Sequence, residues 1–479
     1  MKRCILKPAE TFLLIFFLLL TAVISCGCTV SQTATVYREP LADQGELYFY
    51  LQPLPQEMQP LSFIISEIAV IPEQGDAIPI LTSKVQIKGI ELVGRQKRLV
   101  SDTLPPGRYK GISVSIEQAG IATEEGEMDL LPPAEPIRVD LNFSILRGRS
   151  LALFLVLSPE YLVTDGFSFT PRFVLGKPYL PPQNYMGFIS HSEKNIVTVF
   201  NKRTMEVIQV IHTGAGPQGM AIDQRNGIVY VAIAGEDTIE FISITTMEII
   251  GRVRLSFGDE PMELALTPDG KTLLSANYGS GTVSIIDTRS MSERERLSLD
   301  PDPVWIVAGK DSRRAYVLHT LSNTLSVIDL TRRGLFATVS FDESPSRGAL
   351  SRNGENLYII SQYSTDLLVV DTQSFVVTDR IFVGSRSSSV KVDPKNNLIY
   401  IAKTSGEIVV VDPATGIFID NFPVEGDAGF ITIDGEENTL LVLSPASHEV
   451  QKFNLVNKRE LAKVETEDGG HALVVMGEM

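Results

Sequence analysis

Carboxylates carry most of the chemistry this sequence could perform. Seven short segments spaced through its C-terminal part read GAGP, GDEP, DPDP, DESP, GSRS, GDAG and EDGG, and five of the seven contain acid. The residues are Asp259 and Glu260, Asp300 and Asp302, Asp342 and Glu343, Asp427, and Glu467 with Asp468. If the fold brings these segments to one rim, their fields add and the rim attracts cations or a basic segment of a partner. The bland alternative is a solvated rim on an acidic protein. No DxDxDG loop is present and the acids come from separate segments, so no metal-ligand set is assigned.

Three further residue types could act. His191 and His319 each stand ten residues before a strand-ending Asn201 or Asp329, and Asn277 holds the same place before Asp287. All three should lie near one face, together with His471, either as polar loop residues or as a titrating set. Trp305, the single tryptophan, follows Pro303 by two residues and could fill a channel or stack on a ligand. The sequence contains no GxSxG, HExxH or P-loop pattern, and one tryptophan is too few for a quinone-stacking site. With five histidines in the chain, catalysis would rest on carboxylates. No catalytic residue and no cofactor is assigned.

The elements that must position these residues announce themselves by repetition. A short apolar strand ending in Asp or Asn recurs at Asn201, Asp287, Asp329, Asp371, Asp412 and Asn454, with Ser243 in the second slot, at intervals of 42, 44, 42, 42, 41 and 42. One such unit cannot bury its own faces, so the copies must stack radially or in a line. In the copy from Pro261, MELALTP, TLLSAN, TVSIID and RERLSL read as four strands joined by hairpin-length turns. Asn226-Gly227, Asp269-Gly270 and Asn353-Gly354 mark the first hairpin, where Gly supplies a positive φ.

These copies resemble the YVTN-type β-propeller repeat of bacterial and archaeal envelope proteins. The resemblance rests on Tyr230-Val231, Tyr316-Val317, Tyr358-Ile359 and Tyr400-Ile401, on the xVID-type strand, and on Pro217, Pro261, Pro303 and Pro345 before each new unit. The literal tetrapeptide does not occur. The first copy, at GFISH, lacks its leading strand, and Gly470 to Met476 matches that strand with nothing after it. The C-terminus should therefore complete the first blade of a ring of seven, removing two open edges.

From Glu46 to about Gly176 the chain has β-type runs separated by turn residues such as Pro105-Pro106-Gly107. About seven strands there suggest a β-sandwich. Leu104-Pro105-Pro106-Gly107-Arg108-Tyr109 and the later FLVLSPEYLV and FTPRFVL runs resemble an uncharacterised family of bacterial lipoprotein domains with a transthyretin-like sandwich. The fold expected is all-β: a sandwich over 45–178 followed by a seven-bladed propeller over 179–479, closed by the C-terminal strand.

Residues 1–28 read as a targeting segment: Lys2, Arg3 and Lys7 precede an apolar run from Thr11 to Ser25. Val23-Ile24-Ser25-Cys26 resembles the bacterial lipobox, which makes Cys26 the lipidated residue; Cys28 as acceptor would place the polar Ser25 at −3. Gly27, a residue other than Asp, resembles the pattern that permits export to the outer membrane. Residues 29–44 read as a tether. All three cysteines fall in the targeting segment, so the folded part has neither disulfide nor thiol chemistry. A net charge of −16 disfavours nucleic acid and anionic lipid as partners. The role expected is a non-catalytic envelope lipoprotein that binds protein or saccharide through the propeller face, with the membrane reached through its lipid; the alternative is a hydrolase or oxidoreductase at the acidic mouth.

Overall fold

A computed structural model describes residues 43–478 except Tyr161. Cys26, the targeting segment and most of the tether lie outside the described residues. Seven four-stranded antiparallel sheets form the C-terminal ring. Six are contiguous in sequence; the blade read above runs Pro261–Leu266, Thr272–Asn277, Thr282–Asp287 and Ser292–Ser298. The remaining blade combines Met186–His191, Ile196–Asn201 and Glu206–His212 with the last strand of the chain, Gly470–Val475. Phe188 pairs with Val474 and Ile189 with Leu473, so the ring closes as the repeat count required.

The residue that ends each third strand is a turn cap. Asn201, Asp287, Asp329, Asp371, Asp412 and Asn454 each accept, through Oδ1, backbone N–H bonds from residues two or three further on, at 2.7–3.4 Å. Ser243 does the same through Oγ for Thr246, at 3.2 Å. A short polar side chain that reaches its own backbone fixes such a turn. Four residues after each cap the chain turns left-handed, at Met205, Met247, Met291, Arg333, Phe375, Gly416 and Lys458. The repeat is thus a signature of turn geometry. The tyrosines of the Tyr-Val pairs are core residues: Tyr230 and Tyr400 are fully buried, and the Tyr230 ring meets Phe241 edge-on at 4.8 Å.

A second seam device accompanies the closing strand. Lys202, in the third turn of the first blade, is fully buried and lies 2.7 Å from the equally buried Asp434 of the last blade. Its ammonium also donates to the Met476 carbonyl. The Lys202 carbonyl in turn accepts a 2.7 Å bond from Lys452.

The N-terminal sandwich has a four-stranded sheet in the order Arg172–Gly176, Ser150–Ser158, Gly45–Leu51, Lys97–Leu104. Its partner sheet is built on the long strands Leu61–Pro72 and Gly107–Thr123. Three details differ from the sequence reading. Lys97–Leu104 is a strand where none was expected, and Ile78–Leu81 and Gly126–Leu130 are further short ones. The strand Val85–Lys88 gives way at once to a 3-10 turn, Gly89–Glu91, in a stretch whose apolar residues read as one β-type run.

The strand Gly45–Leu51 is buried along its whole length because both faces are covered. Leu47, Phe49 and Leu51 enter the sandwich core, while Tyr48, Tyr50, Ala152 and Phe154 join a cluster with Met186, Phe188 and Val210 of the first blade. Period-two alternation puts successive side chains on opposite faces, which makes this double use possible. Polar groups fix the docking: Val207 donates its N–H to Gln96 Oε1 at 2.9 Å and Gln209 donates to the Ser150 carbonyl at 3.0 Å. Arg98 pairs with Glu467 and donates its backbone N–H to Glu465. The strand's two basic residues, Lys97 and Arg98, thus meet acids at the outer edge of the last blade, Lys97 lying 3.9 Å from Glu465.

Candidate functional site

The first strand of each blade runs from the acid-bearing loops at one end of the ring to a hairpin at the other. The loops after each second strand lie at the acid end too: Tyr278 and Gly279 donate N–H bonds to the carbonyls of Glu260 and Asp259. This face carries the expected residues, yet its acids are engaged one at a time. Asp259 is fully buried, pairs with Arg296 at 2.7 Å and accepts the Ser256 N–H. Asp300 accepts from the Thr324 hydroxyl at 2.7 Å. Arg380 lies 3.5 Å from Asp342 and 3.4 Å from Glu343. Asp427 accepts the Ala446 N–H at 3.0 Å. Asp468 lies 3.0 Å from Lys194 and 3.3 Å from His448, and the Lys194 hydrogen bond holds its carboxyl below the usual range. Glu260 and Asp302 occupy left-handed turn positions, with the Glu260 N–H held by Asp237. Glu467 is taken by the sandwich through Arg98. The structure places these acids on one face but does not gather them; among the described residues no three His, Cys, Asp or Glu side chains are grouped to hold a metal.

The histidines at matched repeat positions are internal braces. His191 donates from Nδ1 to the Glu467 carbonyl at 3.0 Å, and Thr198 donates to its Nε2 at 3.0 Å. His319 repeats the arrangement with the Pro301 carbonyl at 3.1 Å and Ser326 at 3.0 Å. In the third blade Asn277 fills the slot, donating to Thr282 and Ser284. A carbonyl can only accept, so Nδ1 carries the proton of a neutral ring. Burial lowers His191 to about 3 and also lowers His319. His471 falls to about 3, through burial first and the Arg347 charge second, although the residue keeps part of its surface exposed.

These shifts predict acid sensitivity with a definite sign. A histidine whose folded pKa lies below its unfolded value binds fewer protons when folded, so stability is full above the unfolded value of 6.5 and is lost as pH falls towards 3. His319→Asn keeps a polar brace, as Asn277 does in its own blade. The variant should unfold at lower pH than the parent in an acid titration followed by Trp305 fluorescence. An unchanged acid midpoint would show that burial of His319 does not contribute to acid unfolding.

The central channel holds residues that sequence reasoning missed. A cavity of about 360 Å³ is lined from the first strands of the blades, Trp305 among them. Trp305 packs over Gly348, where an added Cβ would lie 3.0 Å from the indole. Arg347 reaches Glu263 at 3.3 Å, and its guanidinium sits 5.1 Å from the centre of the Phe430 ring. Lys391 pairs with Glu478 at 2.6 Å and lies 5.7 Å from the same ring. Glu263, Trp305, Arg347, Ser389 and Phe430 hold one register position, each opposite the residue just before or at the end of its second strand. A slot whose chemistry changes in every copy of a regular repeat was the available signal, and aligning first strands instead of third strands would have exposed it.

The acid-bearing face also exposes large apolar side chains at its loop tips. Phe257 is fully exposed, Tyr363 83% and Leu321 73%. They come from the loop entering the third blade and from the loops after the second strands of the fourth and fifth.

No family model matches the chain, and no curated protein does. Solved structures do match. A functionally unknown protein from Desulfotomaculum acetoxidans aligns at a TM-score of 0.55 and 12% identity, over 61% of this chain and 99% of that one. Hydrazine synthase from Kuenenia stuttgartiensis aligns at 0.50 and 16%, over 58% and 94%. The dihydro-heme d1 dehydrogenase NirN, in complex with DHE, aligns at 0.48 and 12%, over 63% and 78%. At these identities the likeness concerns the fold alone. The chain is a β-propeller protein, all-β throughout its described length. Its particular form is a seven-bladed ring with a sandwich docked on its first and last blades.

Proposed function

We propose that this protein is a non-catalytic envelope lipoprotein of the YVTN-propeller type, anchored through Cys26 and binding a protein partner through the acid-bearing face. The observation that carries this reading is the exposure of Phe257, Leu321 and Tyr363 on that one face. Loops on a rigid scaffold are where binding residues concentrate, and aromatic side chains dominate the energetics of protein interfaces. The same face carries the ion-paired acids Asp342, Glu343 and Asp468, polar ground of the kind that rims a protein interface.

The test is crosslinking from native envelope with the parent and with a Phe257→Ser, Leu321→Ser, Tyr363→Ser variant. All three side chains are exposed, so the variant should melt like the parent. The expected result is loss of the parent's dominant crosslinked species. An undiminished crosslink pattern from a folded variant would move the binding surface away from this face.

A further inference from the structure

The channel has a charge opposite to that of the protein around it. The whole chain carries −16, yet the charged residues lining the cavity are Lys310, Arg347, Arg352 and Lys391 against Glu263 and Glu478. Arg347 is answered by Glu263 and Lys391 by Glu478. Lys310 and Arg352 have no carboxylate within ion-pair distance among the described residues; the Arg352 guanidinium donates to the Lys395 carbonyl at 3.1 Å, and its backbone N–H to Asn397 Oδ1. Both follow the ends of first strands, Pro303–Ala308 and Arg347–Leu350, and so stand at the channel end away from the acid-bearing loops.

Lys310 remains exposed at that end, yet the surrounding protein, and after it the Lys391 charge, lowers its ammonium below the usual lysine range. Lys310 and Arg352, with no carboxylate partner of their own, share one lining with Lys391, and an oxyanion placed there relieves the repulsion among them. Deeper in the same cavity the lining turns apolar and aromatic, with Trp305, Phe430 and Leu264. A volume of about 360 Å³ lies at the lower end of the range of small-molecule sites.

We propose that the channel binds a small organic anion. Its carboxylate or phosphate head would sit between Lys310, Arg352 and Lys391, and its apolar or aromatic body would lie against Phe430 and Trp305. The head takes charge-assisted hydrogen bonds from donors that no described carboxylate fully occupies, and the body removes apolar lining from water. This inference stands apart from the partner-binding face, which lies at the other end of the ring.

Trp305 is the only tryptophan, so its fluorescence reports the channel directly. Phenyl phosphate, benzoate and the neutral benzyl alcohol are titrated into the full protein in phosphate-free buffer. The expected result is a saturable change in Trp305 emission with one or both anions and none with benzyl alcohol. The stronger anion identifies the head group. Lys310→Gln and Arg352→Gln should each weaken that binding about tenfold, as loss of one hydrogen bond to a charged group does. Both side chains are exposed, and an unchanged emission spectrum without ligand confirms that the variants keep the channel. No saturable change, an equal response to benzyl alcohol, or parent-like affinity in both variants would overturn the proposal.

Discussion

Removing Gly470 to Met479 should abolish cooperative folding of the ring. The deletion strips the first blade of its innermost strand and leaves the edge of Met186–His191 unpaired. Leu473 and Val475 are fully buried, and their burial is worth about 1.5–3 kcal/mol each. The backbone bonds of the strand add about 1 kcal/mol apiece. Together these terms rival the roughly 5–15 kcal/mol that separates a typical domain from its unfolded state. Urea unfolding followed by far-ultraviolet circular dichroism and by Trp305 fluorescence checks the result. The truncated chain should lose its single transition or show a midpoint far below the parent's. A midpoint close to the parent's would mean that six blades and a fragment are self-sufficient.

The second large effect is expected at the buried pair across the same seam. Lys202→Met leaves the Asp434 carboxylate buried with no ammonium beside it, because Lys202 is its 2.7 Å partner and both are fully enclosed. Taking one partner from such a pair costs about 3–5 kcal/mol. The double variant Lys202→Met, Asp434→Leu replaces both charges with apolar groups and should recover much of that loss. Equilibrium unfolding of the parent, both single variants and the double gives the coupling energy. A Lys202→Met variant within about 1 kcal/mol of the parent would show the seam to be held by the closing strand alone.

The architecture was legible because it repeats. The Asp or Asn ending each third strand is visible in sequence since one side chain caps one local turn, a relation spanning three residues. The closing strand was legible by counting, since the first copy was short of a strand and the tail supplied it. The site was legible only as a list of residues. Asp259 reads as a free rim acid until Arg296, on the fourth strand of its own blade, takes it. Glu467 reads the same way until Arg98 arrives from the sandwich. Such pairings join residues tens to hundreds of positions apart, and no periodicity encodes them. The channel cations were hidden for another reason. Lys391 stands where its equivalents include Ala221, Ala265, Val307 and Ala349, and Arg347 in a slot that changes with every copy, so neither announces a site until the ring places them around one cavity.

Joining the first and last strands of the propeller in one blade also sets a timetable. Three strands of that blade are made early, and their fourth follows roughly 260 residues later, tens of seconds at ordinary rates of synthesis. During that interval the strand Met186–His191 offers an unpaired edge to whatever strand comes first. The sandwich, made before it, can already grip the far side of the same blade through Glu206–His212, holding the opening strand in place for its late partner. A message cut short anywhere before Val475 therefore yields an open chain with a waiting edge, not a smaller ring. Gly470–Val475 thus acts as a latch: the ring shuts only once that strand has been made.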